Sequence, residues 1–204
     1  MNRLLLLSSL AVAFSFTAKG TSGQEVAAPT LEKAVFAGGC FWCMQSPFDR
    51  APGVVSTLVG YTEGREENPT YRQVSSGETT HRESIEVTFD PTKIPYEKLI
   101  EIFWHNISPI QKDGQFRDIG DQYTTAIFYA TEAQRISAEK SKEQLAQSGK
   151  FNKPIATVIL PAGKFWPAEE YHQKYYIKNP TAYGMYRFGS GRNGYLQKTW
   201  GTAH

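Results

Sequence analysis

Cysteine is scarce in this chain, which has only Cys40 and Cys43 among its 204 residues. Two cysteines cannot build the framework of several disulfides that holds many small secreted domains together. A zinc site would need a further Cys or His pair at ligand spacing. The four histidines each stand singly in the sequence: His81, His105, His172 and His204. The sequence therefore predicts no bound metal.

Long apolar runs and net charge are also nearly absent. The one apolar run, residues 4–14, is too short to span a bilayer comfortably. Arg3 precedes it and Ala18-Lys19-Gly20 follows it, which is the pattern of a secretory signal peptide over residues 1–20. Its removal lowers the count of Lys and Arg from 22 to 20, which equals the 20 Asp and Glu. A basic surface for nucleic acid is therefore not indicated.

The rest of the chain is predicted to be a flexible leader, residues 21–30, and a single domain, residues 31–204. No repeat or linker divides that domain, and its length suits one hydrophobic core. No cysteine follows the apolar run before Cys40, which argues against a lipid anchor. We expect a soluble monomer located in the periplasm or outside the cell.

The two cysteines form a Cys-x-x-Cys motif with large aromatic residues between them, in the segment 38–43. Thiols this close can alternate between dithiol and disulfide. The preceding glycine pair allows a sharp turn from an apolar strand at residues 34–37 into a helix that runs toward Asp49. Free backbone N–H groups and the helix dipole at the first turn would lower the pKa of Cys40. Cys40 is therefore the predicted nucleophile.

A structural disulfide is the main alternative for this pair. A bridge that closes a loop of four residues constrains the unfolded chain by only about 2 kcal/mol, against about 4.7 kcal/mol for a loop of ~100 residues. A short bridge is thus a poor way to stabilise the fold. Redox catalysis is the favoured interpretation, followed by a structural bridge and then by half of a zinc site.

Strand and helix patterns alternate from residue 31 onward and predict an α+β domain of two layers. Strands are predicted at residues 54–61, 83–89, 123–130 and 155–160. Helices are predicted at 70–75, from Pro95 onward, at 131–148 and, in a short form, at 168–173. From about residue 181 the periodicity is lost, and we expect a coil that packs over the domain.

Five blocks of residues occur in a characteristic order between about Leu31 and Tyr183. They are Gly39-Cys40-Phe41-Trp42, Val59-Gly60-Tyr61, Asn68-Pro69-Thr70-Tyr71, Gly120-Asp121-Gln122-Tyr123, and Ala168-Glu169-Glu170-Tyr171-His172-Gln173 with Lys178-Asn179-Pro180. Together they resemble the A-type peptide methionine sulfoxide reductases, in the variant with cysteine at position 43. The resemblance implies a ferredoxin-like α/β plait with extended N- and C-terminal coils. It also implies reduction of the S epimer of methionine sulfoxide, free or in proteins, to methionine, without a cofactor.

Roles follow from position in the motifs. By resemblance, Cys40 is the nucleophile, and Phe41 and Trp42 are the walls that hold the S-methyl group of the substrate. Attack on the sulfoxide leaves a sulfenic acid on Cys40, with which Cys43 can condense to a disulfide. Cys43 is the only further cysteine, so it is the only resolving thiol that the chain offers. The resemblance implies a thioredoxin-like donor to reduce this disulfide, in an exported form.

The remaining site residues handle the sulfoxide oxygen. By resemblance Glu83 is the acid, Tyr71 and Tyr123 are the phenols that bind the oxygen, and Asp118 helps to order the site. The chemistry agrees, because sulfoxide oxygen is a poor leaving group that must be hydrogen-bonded and protonated during attack. Burial against aromatic surface would keep Glu83 protonated near neutral pH.

Two other functions compete with this interpretation. A thiol–disulfide oxidoreductase would also use an exported Cys-x-x-Cys, although the bulky Phe41 and Trp42 between the thiols count against it. A binding module with an inert disulfide is the other alternative. Reduction of insulin without any sulfoxide would favour the first, and thiols that resist labelling would favour the second.

Overall fold

A six-stranded sheet forms the centre of the structure, a computed structural model that describes residues 30–201. The strands are β1 Glu32–Gly38, β2 Val54–Thr62, β3 Arg82–Phe89, β4 Gly114–Gln115, β5 Asp118–Ile119, β6 Thr125–Tyr129, β7 Val158–Pro161 and β8 Trp166–Pro167. The order in the sheet is β7-β6-β1-β3-β2-β8, and β4 pairs with β5 in a separate hairpin. Neighbouring strands are antiparallel except β6 and β7, which are parallel.

Seven α-helices occur in residues 30–201. They are α1 Phe41–Asp49, α2 Tyr71–Ser75, α3 Tyr96–Trp104, α4 Glu132–Gln147, α5 Tyr175–Lys178, α6 Pro180–Gly189 and α7 Arg192–Trp200. Short 3-10 turns cover Asp121–Tyr123 and Glu170–His172. None of the helices described is long and apolar enough to cross a membrane. The predicted α+β class is confirmed.

The connectivity explains how the sheet and helices are layered. Strands and helices alternate from β1 to α3 in the order β1, α1, β2, α2, β3 and α3, and the β4–β5 hairpin precedes β6. The ferredoxin-like plait stays a prediction. β7 and β8 extend this sheet at its two edges. The predicted signal peptide, residues 1–20, and nearly all of the predicted leader, residues 21–30, lie outside the described residues.

The main core lies between the sheet and helices α1, α3 and α4. Phe36 of β1 stacks on Phe48 of α1 and on Phe103 of α3, with ring centroids 5.2 Å apart in both pairs. The apolar positions Leu99, Ile100, Phe103 and Trp104, predicted from helical spacing, are all buried on α3. Burial of this face stabilises α3, since isolated helices of its length are marginal in water.

The turn between β1 and α1 places the cysteines and requires its glycine pair. A side chain at Gly38 would lie 2.5 Å from Met44 Sδ, and one at Gly39 would lie 2.5 Å from Gln115 Cβ. Gly39 also has a φ of 78°, a conformation that other residues seldom adopt. The predicted strand, turn and helix are confirmed here, and α1 begins one residue after Cys40.

The predicted coil from about residue 181 is wrong, because this segment forms α6 and α7. Pro180 occupies the first turn of α6, and Gly191, in a left-handed conformation, separates the two helices. The segment lacks a clear apolar stripe because the buried side chains include Arg187 and Arg192 as well as Leu196. Contacts with the rest of the domain therefore stabilise these two helices, and the spacing of apolar residues in the sequence does not predict them.

Two predicted strands also begin later than expected. The strand predicted at residues 123–130 starts at Thr125, since Asp121–Tyr123 forms a 3-10 turn. The strand predicted at 155–160 starts at Val158. The first shift matters for the site, because it leaves Tyr123 in a turn at the edge of the sheet.

Candidate active site

The two cysteines lie side by side at the start of α1. Cys40 occupies the N-cap position, and the Cys43 N–H donates to the Cys40 carbonyl at 3.0 Å. Both thiols are unbridged and buried, and their side chains are in hydrogen-bond contact. Cys40 retains 5% exposure whereas Cys43 has 0%, so Cys40 is the cysteine closer to solvent.

In the reduced pair, Cys43 is the cysteine that carries the negative charge of a thiolate. Burial raises the pKa of Cys40, and nearby Cys43 and Glu83 add to this effect. The pKa of Cys43 is lowered to about 6 by the hydrogen bond with Cys40 and by the adjacent charges of Arg192 and Arg187. The prediction that the helix start lowers the pKa of Cys40 is therefore wrong for the reduced pair.

Glu83 is a buried carboxylic acid beside these thiols. It is the second residue of β3, and the Phe41 N–H donates to its Oε2 at 3.0 Å. Burial raises the pKa of Glu83 to about 8, with Asp118 and Cys43 contributing. The neighbouring Arg82 does not neutralise it, since successive side chains of a strand point to opposite faces and Arg82 pairs with Glu63. Glu83 is therefore an uncharged proton donor at neutral pH.

The two tyrosines predicted to bind the sulfoxide oxygen lie near Glu83 and belong to different elements. Tyr71 is the first residue of α2, whose start is fixed by a capping box between Thr70 and Gln73. Tyr123 ends the 3-10 turn before β6. Burial raises the pKa of both phenols, and both lie close enough to Glu83 and Cys40 for those groups to raise it further. Both hydroxyls therefore keep their protons for donation.

Asp118 is linked to the cysteines by Tyr186, a residue that no sequence motif marks. The Tyr186 hydroxyl, on α6, donates to Asp118 Oδ2 at 2.5 Å and is also in hydrogen-bond contact with Cys40. Burial, followed by the nearby cysteines, raises the pKa of Tyr186. Tyr186 belongs to no motif and falls in the segment expected to be coil, so only its tyrosine-rich surroundings could have marked it.

Phe41 and Trp42 form part of an aromatic cluster that also contains Tyr61, Tyr71 and His172. The Phe41 ring lies 5.2 Å from the His172 ring and 5.9 Å from the Tyr61 ring, centroid to centroid. Trp42 is half-buried, and its Nε1 donates to His172 Nδ1 at 3.0 Å. The Trp42 ring also stacks on the Tyr175 ring, with centroids 4.0 Å apart, so the indole next to Cys40 is held by several aromatic contacts.

The motif at residues 168–173 supports this cluster, a role not foreseen from the sequence. Glu169 accepts from the Tyr71 N–H at 2.8 Å and from the Tyr61 hydroxyl at 2.9 Å. Burial lowers the pKa of His172 to about 4, which keeps its ring neutral. In the sequence, this role could have been inferred from a carboxylate and a histidine that stand among aromatic residues. The motif holds Trp42 and Tyr71 in place.

The structure thus gathers the residues proposed from the sequence around one pair of thiols. They are Cys40, Phe41, Trp42, Cys43, Tyr71, Glu83, Asp118 and Tyr123. Among residues 30–201, no group of three His, Cys, Asp or Glu side chains is placed to hold a metal ion. The arrangement combines two thiols, a neutral acid and several hydroxyl donors, which suits reduction of a polar oxygen-bearing group.

The fold and these side chains define an α+β oxidoreductase with a buried pair of thiols. Residues 32–204 match the family model described as peptide methionine sulfoxide reductase, and the chain belongs to this family. The resemblance seen in its motifs is confirmed, including the A type of the enzyme.

Curated relatives named peptide methionine sulfoxide reductase MsrA are similar over most of the chain. The protein from Bacillus licheniformis is 56% identical over 173 residues, which cover 85% of this chain and 96% of that protein. The one from Bacillus subtilis is 53% identical over 170 residues, or 83% of this chain and 96% of that protein. Reduction of methionine sulfoxide is therefore the activity of this enzyme.

Solved structures agree. Mxr1 from Saccharomyces cerevisiae, in reduced form, has a TM-score of 0.69 at 31% identity and covers 74% of this chain and 87% of its own. Methionine sulfoxide reductase A of Corynebacterium diphtheriae has a TM-score of 0.66 at 36% identity and covers 76% and 77% of the two chains. The fold is that of this class of reductase.

Proposed function

We propose that Cys40 attacks the sulfoxide sulfur of the S epimer while Glu83 donates a proton to the sulfoxide oxygen. The observation that carries this proposal is the buried Glu83 carboxyl, whose pKa of about 8 keeps it protonated beside the thiols. Tyr71 and Tyr123 donate hydrogen bonds to the same oxygen. Donors fixed before the reaction stabilise the charge that develops there during attack.

Cys40 is the better nucleophile by position, although Cys43 carries the resting charge. Cys40 is the more exposed thiol and lies beside the tyrosine hydroxyls, whereas Cys43 faces the arginines. The hydrogen bond between the two thiols supplies a path for the proton. As Cys40 attacks, its proton passes to the Cys43 thiolate, so the attacking sulfur becomes a thiolate only when substrate is present.

The remaining atoms balance without a cofactor. Attack forms an S–S bond between Cys40 and the substrate sulfur. The protonated oxygen then moves from the substrate sulfur to Cys40 as this S–S bond and the substrate S–O bond break, which releases methionine and leaves a sulfenic acid on Cys40. Cys43 then forms an S–S bond with Cys40 and the hydroxyl leaves as water. Methionine sulfur gains two electrons and the two thiols lose them. The three-residue spacing at the start of α1 keeps the sulfurs within reach.

Substrate recognition in this proposal uses the aromatic cluster. Trp42 and Phe41 form the apolar wall for the S-methyl group, and Asp118, held by Tyr186, orders the polar side of the site. Free methionine sulfoxide and oxidised proteins are both substrates in this scheme, because Cys40 keeps a small exposure and the neighbouring Trp42 is only half-buried.

A thioredoxin-like dithiol protein regenerates the enzyme in this scheme. It donates two electrons to the disulfide between Cys40 and Cys43 and becomes a disulfide itself. The signal-peptide pattern of residues 1–20 supports the periplasm or the exterior as the compartment, so this donor is an exported one. We further propose that the enzyme works as a monomer, without metal or nucleic acid.

Single-turnover reduction of S and R methionine sulfoxide by the prereduced protein, with thiols counted before and after, tests this function. We expect methionine from the S epimer alone, with the loss of two thiols. Cys43→Ser should give one equivalent of methionine, more slowly because the acceptor of the Cys40 proton is lost, and stop at a sulfenic acid, whereas Cys40→Ser should give none. Turnover by Cys40→Ser would overturn the assignment of the nucleophile, and insulin reduction without sulfoxide reduction would overturn the function.

A further inference from the structure

Two arginines of the C-terminal helices are buried against the cysteine pair. Arg187 of α6 is 4% exposed and Arg192 of α7 is 0% exposed. Arginine is almost never fully buried unless it is paired, because removing its charge from water is unfavourable. Each of these side chains therefore needs a partner of opposite charge.

Neutral groups supply most of the contacts of these arginines. Arg187 Nη1 donates to the Cys43 carbonyl at 3.1 Å, and its Nε donates to Asn193 Oδ1 at 2.8 Å. Arg192 donates to the carbonyl of Gly38 at 3.1 Å and to that of Asn106 at 2.5 Å. Its guanidinium also lies 4.6 Å from the centroid of the Phe116 ring. These acceptors are dipoles, so they do not balance the two charges.

A carboxylate partner is missing within residues 30–201. Neither arginine forms an ion pair there. Arg187 Nη2 and Arg192 Nε are buried without a hydrogen-bond partner among those residues. Both side chains lie close to the Cys43 thiol, and Arg187 is in hydrogen-bond contact with it. The Tyr183 hydroxyl also accepts from Arg187 Nη1, at 3.4 Å, but burial raises the pKa of this phenol. The thiol pair is thus the group beside both arginines that can become an anion near neutral pH.

We propose that Arg187 and Arg192 are positioning residues of the reductase, whose charges hold one thiolate in the Cys40–Cys43 pair. This inference rests on the proposed function, because it concerns the same thiols. It assigns to α6 and α7 a part in the chemistry that the motifs of the sequence do not reveal.

The other titratable groups around the pair do not replace this counter-charge. They are Tyr71 of α2, Glu83 of β3, Asp118 of β5, Tyr123 before β6, and Tyr183 and Tyr186 of α6. The tyrosines and Glu83 are neutral near pH 7. Asp118 accepts from Tyr186, on the Cys40 side of the pair. A single thiolate on the Cys43 side is therefore the anion that the arginines face.

The thiolate held in this way serves each stage of the cycle. It accepts the proton of Cys40 during attack on the sulfoxide. This proton transfer neutralises Cys43, and formation of the disulfide then leaves both arginines without a group that can become an anion again until the pair is reduced. Stabilisation of the reduced pair makes the disulfide more oxidising, so a dithiol donor reduces it more readily. The arginines thus favour regeneration of the enzyme by its dithiol donor.

The ultraviolet absorbance of the thiolate, followed against pH in the prereduced protein, tests the inference without any sulfoxide. In the wild type we expect one thiolate to form well below the pKa of about 8.5 of a free cysteine. Arg187→Met keeps a similar length but removes the charge, and should raise the midpoint by about one to two units. Arg187→Lys should restore most of the difference, which a purely structural role of Arg187 would not explain.

Arg135→Met, on the exposed face of α4, is the matched control and should leave the titration unchanged. Equal midpoints for the wild type and folded Arg187→Met would overturn the inference. The disulfide of Arg187→Met should also be at least about tenfold harder to reduce at equilibrium with glutathione. An unchanged equilibrium would contradict the proposed effect on regeneration.

A second measurement uses the wild type alone, in case Arg187→Met does not fold. A Cys43 pKa lowered to about 6 supplies stability that is present above the unfolded pKa of about 8.5 and is lost as the pH falls through 6. The unfolding free energy of the reduced protein should therefore rise relative to the oxidised protein between these pH values. Parallel curves would overturn the inference. Failure of sulfoxide reduction, with the thiolate still present, would instead count against the proposed function alone.

Discussion

The main core and the aromatic cluster are both rich in rings, but their polar contents differ. In the main core, Phe36 of the sheet stacks on Phe48 and on Phe103 among aliphatic side chains. In the aromatic cluster, Phe41 packs against Tyr61 and His172, while Glu83 and Glu169 accept hydrogen bonds there. The first region buries apolar surface, and the second buries groups that water would otherwise solvate.

The two regions therefore contribute differently: the main core stabilises the fold, and the aromatic cluster serves the chemistry of the site. Burial of apolar rings stabilises the fold directly, whereas burial of Glu83 opposes ionisation and keeps a proton available. We therefore expect substitutions in the main core to lower stability with little effect on the active folded enzyme. Substitutions around the aromatic cluster should lower activity while stability is retained.

Glu83→Gln should show the largest effect. Loss of the general acid should lower kcat/KM by about 100- to 10,000-fold, since proton donation typically contributes that much. Gln keeps an oxygen to accept from the Phe41 N–H, so the fold should persist. Steady-state reduction of S methionine sulfoxide measures the loss, and an unchanged rate would remove Glu83 as the acid.

The same variant gives a pH signature. Burial raises the pKa of Glu83 from 4.5 to about 8, so folding takes up a proton between these values. The stability from the neutral acid is fully present below the unfolded pKa and is lost as the pH rises through about 8. Gln has no such proton, so the stability of Glu83→Gln relative to the wild type should increase over this range. Wild-type activity should decline above pH 8 for the same reason.

Phe103→Ala probes the main core and should destabilise the protein by about 3–5 kcal/mol through lost apolar burial and a cavity. Phe103 is fully buried and 5.2 Å from the Phe36 ring. Denaturant unfolding measures the change. Below the unfolding transition, kcat/KM should stay close to that of the wild type. A fall comparable to that of Glu83→Gln in the folded variant would contradict the separation of the two regions.

Tyr123→Phe should lower kcat/KM about tenfold, which corresponds to the loss of one hydrogen bond of about 1.4 kcal/mol to the sulfoxide oxygen. Tyr129→Phe, in β6, is the matched control, because it removes a hydroxyl from a half-buried tyrosine away from the thiols. Equal activities of the two variants would remove Tyr123 from the site. Their unfolding free energies should differ little.

Two helix caps provide the smallest test. Thr70 caps α2 and Thr131 caps α4, each through its hydroxyl oxygen. Either Thr→Ala change should lower stability by about 1 kcal/mol. Only Thr70→Ala should also reduce activity, by a few-fold, because α2 carries Tyr71. If Thr131→Ala reduced kcat/KM equally, the local link between α2 and the site would be wrong.

Local patterns were sufficient for much of the fold and of the candidate site. The glycine pair before Cys40, the alternation of residues 83–89 and the apolar spacing on α3 each describe a feature of one short segment. The structure confirms all three elements. The family resemblance likewise predicted that Glu83, Tyr71 and Tyr123 share one site with the cysteines. The structure places all three near that pair.

The features that escaped prediction depend on contacts between distant segments. A sequence pattern assigns arginine to the surface, so the burial of Arg187 and Arg192 could not be anticipated from their neighbours. Tyr186 was missed for the same reason. The pKa of Cys40 depends on burial and on Cys43 as well as on its place in α1, and helix position alone gave the wrong direction.

The position of Arg187 along the chain has a consequence for biosynthesis. It contacts Cys43 from 144 residues further along, and Arg192 contacts Met44 across 148 residues. A growing polypeptide therefore displays its thiols long before either guanidinium has been made. If these charges hold the thiolate, the nascent cysteines resemble ordinary ones until α6 and α7 dock. The cysteines then become reactive only late in folding, when the C-terminal helices have packed against α1.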